Sequence, residues 1–213
     1  MAGQFEGRVL VLSGGSVSQC TVPLLLEHIV KRSDQLTIMD FQDMTPRFED
    51  ALKAGAQFVI GKVEQSNIAQ ILSQYVSRGD VLIDLAWNID ANVIIEWCHD
   101  NGVLYLNTSV EEWDPYESQT DRDPRERTLL VRHQRLQKMK AGWTESGPTA
   151  VVEHGANPGL VSHFVKRALA DIAAECIAQN LLSADIEADV RVALAEGNFP
   201  RLAHLLTVKV IHV

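Results

Sequence analysis

Residues 8–20 read RVLVLSGGSVSQC. The apolar run 9–12 has the make-up of a strand buried on both faces, as in parallel sheets. It stops at Ser13-Gly14-Gly15-Ser16, and a helical pattern then runs through Val17, Cys20, Leu24, Leu25 and Ile29. Strand, glycine turn and helix in succession suit a dinucleotide pyrophosphate: backbone without Cβ lets the phosphates approach, and the free N–H groups of the helix start point at the anion. Against the fingerprint G-x-G-x-x-G/A, the three positions hold Ser13, Gly15 and Ser18, so only the middle glycine is in place. A plain tight turn between strand and helix is the competing reading.

The next strand-like run, 36–39, ends in Asp40. That is the distance at which an acidic residue would hold the adenosine ribose hydroxyls, and a carboxylate there favours NAD over NADP because it repels a 2′-phosphate. Further outward, apolar runs at 57–60, 80–85 and 103–106 alternate with helical patterns at 63–76 (Ile68, Ile71, Leu72 and Tyr75 on one side) and 88–100 (Val93, Ile94, Trp97 and Cys98 inward). Gly55 and Gly102 are placed to close helices. The alternation predicts right-handed βαβ units and a Rossmann-like, doubly wound parallel sheet of the α/β class.

In such sheets ligands bind at the carboxyl ends of the strands. The expected cofactor contacts are Ser13, Gly14, Gly15, Ser16, Val17 and Asp40, with Ala86 after the fourth strand and Thr108 after the fifth. Asn88 and Asp90 read first as helix caps. Glu111 has no adjacent helix to cap, so a functional role competes with that of a solvated loop glutamate.

After the charged stretch 114–127, a helix is expected at 126–140, a turn-rich linker at 142–148 and a sixth strand at 149–153. There follows His154-Gly155-Ala156-Asn157-Pro158-Gly159 and a patterned helix over 160–174, with Asn157 as its expected N-cap and Pro158 in its first turn. Residues 184–206 read as one or two helices broken near Gly197–Pro200, and 207–213 (TVKVIHV) as a strand. The domain division expected is 1–155 for cofactor binding and 156–213 for the start of a second, incomplete α+β substrate domain.

Composition narrows the function. The 213 residues carry 28 acidic and 19 basic side chains, net −9, which speaks against nucleic acid as the main partner and suits a cationic ligand. Cys20, Cys98 and Cys176 form no C-x-x-C and read as buried, reduced thiols, with no metal expected. No signal sequence and no apolar run of membrane-spanning length is visible, so the expected location is cytoplasmic. There is no G-x-S-x-G and no H-E-x-x-H. His154, at a strand end, reads as structural.

Four stretches, GSVSQCTVPLLLEHI, DLAWNIDANVIIEWCHDNGVLYLNTSVEEWDPYE, HGANPGLVSHFVKRAL and LAHLLTVKVIHV, resemble bacterial homospermidine synthase, a relative of the saccharopine-dehydrogenase-like oxidoreductases. The similarity runs through nearly the whole chain and implies its amino-terminal part, since members of that family are considerably longer. It implies NAD chemistry in which an amine of putrescine is oxidised to an imine, a second putrescine adds, ammonia leaves and the same NADH reduces the new imine. Putrescine is the implied substrate, with spermidine as an alternative, and a homodimer the implied full-length assembly. By position Glu111 matches a substrate-side glutamate, Asn157 the asparagine of a G-A-N-P-G loop near the reacting amine, and Asn88 an active-site carboxylate of relatives. Ser13 stands where the family has glycine. The alternatives are a saccharopine- or carboxynorspermidine-dehydrogenase-type enzyme with net oxidation or reduction, and an NAD-binding remnant without catalysis.

Overall fold

The computed structural model describes residues 4–114, 121 and 123–213. They form two compact units, 1–154 and 155–213.

The first unit is a six-stranded parallel sheet with strand order β3-β2-β1-β4-β5-β6. Its strands are β1 Val9–Leu12, β2 Leu36–Asp40, β3 Gln57–Ile60, β4 Val81–Asp84, β5 Leu104–Asn107 and β6 Ala150–Val151. Between them run α1 Ser16–His28, α2 Glu49–Ala54, α3 Ile68–Tyr75, α4 Ala91–Asn101 and α5 Leu129–Ala141. Side chains alternate across the pleat and feed two cores. Val9, Val11, Leu36, Ile38 and Ile83 pack with Val22 and Leu25 of α1 and Ala51 of α2. Leu10, Leu12, Leu82 and Tyr105 pack with Leu72 of α3 and with Ile94, Ile95 and Cys98 of α4. Covering both faces is what makes the strands read as unbroken apolar runs.

The order reverses at β1. Leu12 lies in register with Met39 on one side and Asp84 on the other, and Asp84 with Asn107. The ends of β1, β2, β4 and β5 therefore form one carboxyl edge at the topological switch point. The opposite edge is tied by Asp80, whose carboxylate accepts the Arg8 N–H at 2.7 Å, Arg8 Nε at 2.9 Å and the Ser77 N–H at 2.8 Å.

Several local expectations are corrected. In α1 the buried residues are Ser18, Val22 and Leu25, while Val17, Leu24 and Ile29 are exposed, as is Cys20. The helix has two apolar stripes at helical spacing, and the sheet takes the one with the small Ser18. Cys98 is buried as expected and Cys176 half-buried. Helix α3 starts at Ile68 rather than 63, because the Asn67 amide accepts the Glu64 N–H and donates to the Lys62 carbonyl, closing a turn that competes with helix. Val93 faces outward, with Ile95 in its place. Helix α5 starts at Leu129 after a short 3₁₀ turn, and β6 has two residues.

The second unit holds α6 Leu160–Ala178, α7 Ala184–Ala195 and α8 Phe199–Leu205 around Leu169, Ala173, Val190, Ala193 and Leu202. The break between α7 and α8 falls where Gly197 and Pro200 predict it. Two readings fail here. Gly159, not Asn157, is the N-cap of α6, and Pro158 precedes it through a cis peptide bond after Asn157. Residues 207–213 form no strand; Val210, Ile211 and Val213 are exposed.

Candidate functional site

The turn after β1 is the centre of the carboxyl edge. Ser13 has φ 83°, a left-handed backbone where the fingerprint places glycine. Its hydroxyl accepts the Gly15 N–H at 3.1 Å, which offsets part of that cost. A Cβ on Gly14 would meet Met44 Cβ at 3.0 Å and the Phe48 ring at 3.3 Å, so the chain passes there only without a side chain. Ser18, at the third fingerprint position, is fully buried and donates its hydroxyl to the Ser13 carbonyl at 2.6 Å, bringing helix and strand close. No side chain caps α1 and no acidic residue lies in its first turn. Its opening N–H groups, at Ser16 and Val17, thus lack a capping side chain of the helix's own.

Asp40 comes directly to this turn. Its Oδ2 accepts the Gly14 N–H at 2.6 Å and its Oδ1 the Gln42 N–H at 2.9 Å. A cleft of about 320 Å³ opens beside it, lined among others by Ser13, Asp40, Phe41, Lys62, Ala86, Asn88, Trp113 and Asp114. Four of the expected site residues, Ser13, Asp40, Ala86 and Asn88, thus share one cleft of ligand size. Lys62, Phe41 and Asp114 were not singled out by the sequence. They lie on loops that only the sheet order brings together.

The remaining residues divide. Asp90 caps α4, accepting the Asn92 N–H at 2.8 Å. Asn88 does not cap. It sits at φ 63° and reaches across the edge, its Nδ2 donating to Asp114 Oδ1 at 3.3 Å and its Oδ1 accepting the Asp114 N–H. Thr108 follows β5, half-buried. The Glu111 side chain is only 19% exposed, which excludes a solvated loop glutamate. It accepts the Ser109 hydroxyl at 2.8 Å and lies 3.9 Å from Arg132, while its main-chain carbonyl takes the Ala91 N–H that opens α4. Asn157 is exposed and belongs to the second unit, in the loop before α6.

Under the edge lies a buried polar chain that the sequence reading missed. Tyr105 donates its hydroxyl to Asp84 Oδ2 at 2.8 Å, and Asn107 Nδ2 donates to the Tyr105 oxygen at 2.9 Å. Asn107 Oδ1 accepts the Glu153 N–H at 2.8 Å. Burial pushes the Asp84 carboxyl up to about 6, against the Tyr105 and Ala86 hydrogen bonds that lower it; the negative Glu111 adds to the rise. Burial also pushes the Cys98 thiol up to about 12, with Asp84 contributing. The signal for Asp84 was present, a carboxylate closing an apolar strand. Its partners come from the register of β4 with β5.

Residues 9–151 match the family described as saccharopine dehydrogenase NADP binding domain. The chain belongs to that family. Among relatives of this saccharopine-dehydrogenase-type chain, a homospermidine synthase of Mesorhizobium japonicum is 29% identical over 176 residues, 81% of this chain and 36% of the relative. A homospermidine synthase of Blastochloris viridis is 27% identical over 213 residues, 99% of this chain and 42% of the relative. The crystal structure of a Legionella pneumophila homospermidine synthase in complex with NAD superposes with a TM-score of 0.67 at 29% identity, covering 85% of this chain and 35% of that one. The saccharopine-dehydrogenase-type chain therefore spans about two fifths or less of the length of these relatives. Among its described residues no group of three or more His, Cys, Asp or Glu is placed to hold a metal ion, and no helix is long and apolar enough to cross a membrane.

Proposed function

We propose that the chain is the cofactor-binding part of a homospermidine-synthase-type enzyme, taking NAD at the carboxyl edge of its sheet and a diamine beside it. The observation that carries the reading is the 2.6 Å hydrogen bond from Gly14 N–H to Asp40 Oδ2, which sets the acidic end of β2 against the glycine turn and the open start of α1. The donor set fits the group. Ser13 to Val17 would hold the pyrophosphate, Asp40 the adenosine ribose, and Ala86 and Thr108 the loops over the nicotinamide half. Although the family description names NADP, a buried carboxylate at Asp40 repels a 2′-phosphate, and NAD is the dinucleotide found in the Legionella relative.

The bound cofactor would accept hydride from an amine-bearing carbon and return it to a later imine. The protein's part is to hold ammonium groups with carboxylates and to leave one amine unprotonated before hydride departs. Glu111, kept off solvent by Ser109 and Arg132, serves the first task. Asn88 supplies an amide where the resemblance implies a carboxylate, and Asn157, by its place in the G-A-N-P-G loop, is the asparagine assigned to the reacting amine; the second unit, to which it belongs, we assign as the beginning of the substrate domain. In this reading two putrescines give homospermidine and ammonia with no net use of NAD.

The test is thermal unfolding of the 213-residue protein with NAD⁺ and with NADP⁺, followed by putrescine and product analysis. A ligand at a hundred times its Kd stabilises by about 2.7 kcal/mol, and that rise is expected with NAD⁺ and not with NADP⁺. Homospermidine with ammonia release supports the full reading. NAD⁺ stabilisation without product reduces it to cofactor binding, NADH accumulating with putrescine points to a dehydrogenase, and indifference to both dinucleotides refutes it.

A further inference from the structure

Three carboxylates follow the ends of β5 and β6 in the chain, and their counter-charges differ. Glu112 is bound by Arg135 and lies 3.7 Å from Arg132. Glu111 has Ser109 and, at 3.9 Å, Arg132. Glu153 has no guanidinium among the described residues. Its Oε2 meets His133 Nε2 at 2.5 Å, and its Oε1 is buried without a hydrogen-bond partner. The Glu153 side chain is 9% exposed and that of His133 40%.

A buried acceptor left unpaired is costly and calls for a cause; Glu153 Oε1 shares that state with Asn92 Oδ1 and Trp113 Nε1, and of the three it alone belongs to an ionisable side chain. Glu153 is also held in place deliberately. Its φ is 57°, a left-handed conformation, and its N–H is fixed by Asn107 within the Asp84–Tyr105 chain. Asn107, the last residue of β5 and four residues before Glu111, takes the N–H of Glu153 on its side chain and that of His154 on its carbonyl.

We infer that Glu153 is a binding group for one ammonium of a diammonium ligand, with Oε1 accepting the ammonium hydrogen and His133 holding Oε2 in position. The inference rests on the diamine reading above and adds a carboxylate that neither the sequence motifs nor the cleft pointed to. Of the three carboxylates it is the one with no guanidinium within 4 Å among the described residues. His133 Nε2 is the side-chain group beside Oε2, whereas Arg132 lies near Glu111 and Glu112 and Arg135 binds Glu112.

The experiment compares Glu153→Gln with the unaltered protein, both loaded with NAD⁺, using calorimetric titration with putrescine and with n-butylamine, which carries one ammonium. Glutamine keeps the shape and a hydrogen bond to His133 but removes the charge. Putrescine affinity is expected to fall roughly ten- to hundredfold, as for loss of a charge-assisted hydrogen bond, to about that of n-butylamine. NAD⁺ stabilisation stays unchanged and reports that the variant folds; should it be lost, His133→Gln, which releases Oε2, gives the second reading and a smaller loss for putrescine alone. Equal putrescine affinity in protein and variant overturns the inference and leaves the diamine reading standing. An equal loss for putrescine and n-butylamine also overturns it, since Glu153 would then not be serving the second charge. No putrescine binding to the unaltered, NAD⁺-loaded protein overturns both.

Discussion

Neutralising Asp84 isolates the buried carboxylate that the fold, among the described residues, pushes upward. In the unfolded chain it ionises near 3.8, whereas in the fold burial raises it to about 6. Below pH 4 it is protonated in both states and costs nothing. Between about 4 and 6 the folded state holds the proton that the unfolded state has lost, so stability falls as pH rises, and above 6 the whole penalty is present. The gap from 3.8 to about 6, at roughly 1.4 kcal/mol per pH unit, amounts to about 3 kcal/mol. Exposed carboxylates held low by partners, such as Asp43 by Thr45 and Asp123 by Arg125, act in the opposite direction in acid. The difference between Asp84→Asn and the unaltered protein cancels them. Urea unfolding followed by tryptophan fluorescence suits this, since Trp87, Trp97, Trp113 and Trp143 all lie in the first unit. Asparagine cannot accept from both Tyr105 and Ala86, which sets a constant offset. On that offset the variant should gain about 3 kcal/mol relative to the unaltered protein between pH 4 and pH 7. A difference that stays flat across this range, or slopes the other way, refutes the assignment of Asp84 as the raised group.

Ser13→Gly and Ser13→Ala both lose the hydroxyl that holds the Gly15 N–H, and only glycine relieves the left-handed backbone. The glycine variant should therefore be more stable than the alanine one by about 1 kcal/mol, or about 2–4 °C in Tm; equal midpoints would show that φ 83° carries no strain. Gly102→Ala should cost about 1–2 kcal/mol in chemical denaturation, because Gly102 closes α4 at φ 71° and a Cβ there would meet the Arg78 side chain at 3.0 Å. A neutral effect would mean that the α4 end shifts freely.

The sheet was legible because its central strands are covered on both faces. Runs such as VLVL and DVLIDL carry no alternation and stand out for that reason; 36–40 is bounded by its aspartate, and the partly exposed edge run 57–60 by Gly61. Asp40 was legible for the same reason, its place at a strand end being fixed by the strand. The phase of α1 was not, since Val17/Leu24 and Val22/Leu25 both satisfy helical spacing and only packing against Val9 and Val11 selects between them. Asn67 against α3 and Gly159 at α6 show local hydrogen bonding and backbone geometry overriding the pattern. The buried chain was illegible for a different reason. Tyr105 meets Asp84, and Glu153 meets Asn107 and His133, across strands and helices far apart in sequence. Such pairings exist only once the register is set.

The two margins of the sheet are unequally protected against another chain. At one side β6 is only two residues long, with Pro148 shortly before it and the left-handed Glu153 shortly after, so it offers an incoming strand almost no straight run of free N–H and C=O groups. At the other, β3 presents Gln57-Phe58-Val59-Ile60 with Ile60 61% exposed, stopped by Gly61 and the charge of Lys62. Self-association through main-chain pairing therefore has its template at β3, and Lys62, two residues past the end of that strand, acts as its gatekeeper as well as a wall of the cleft.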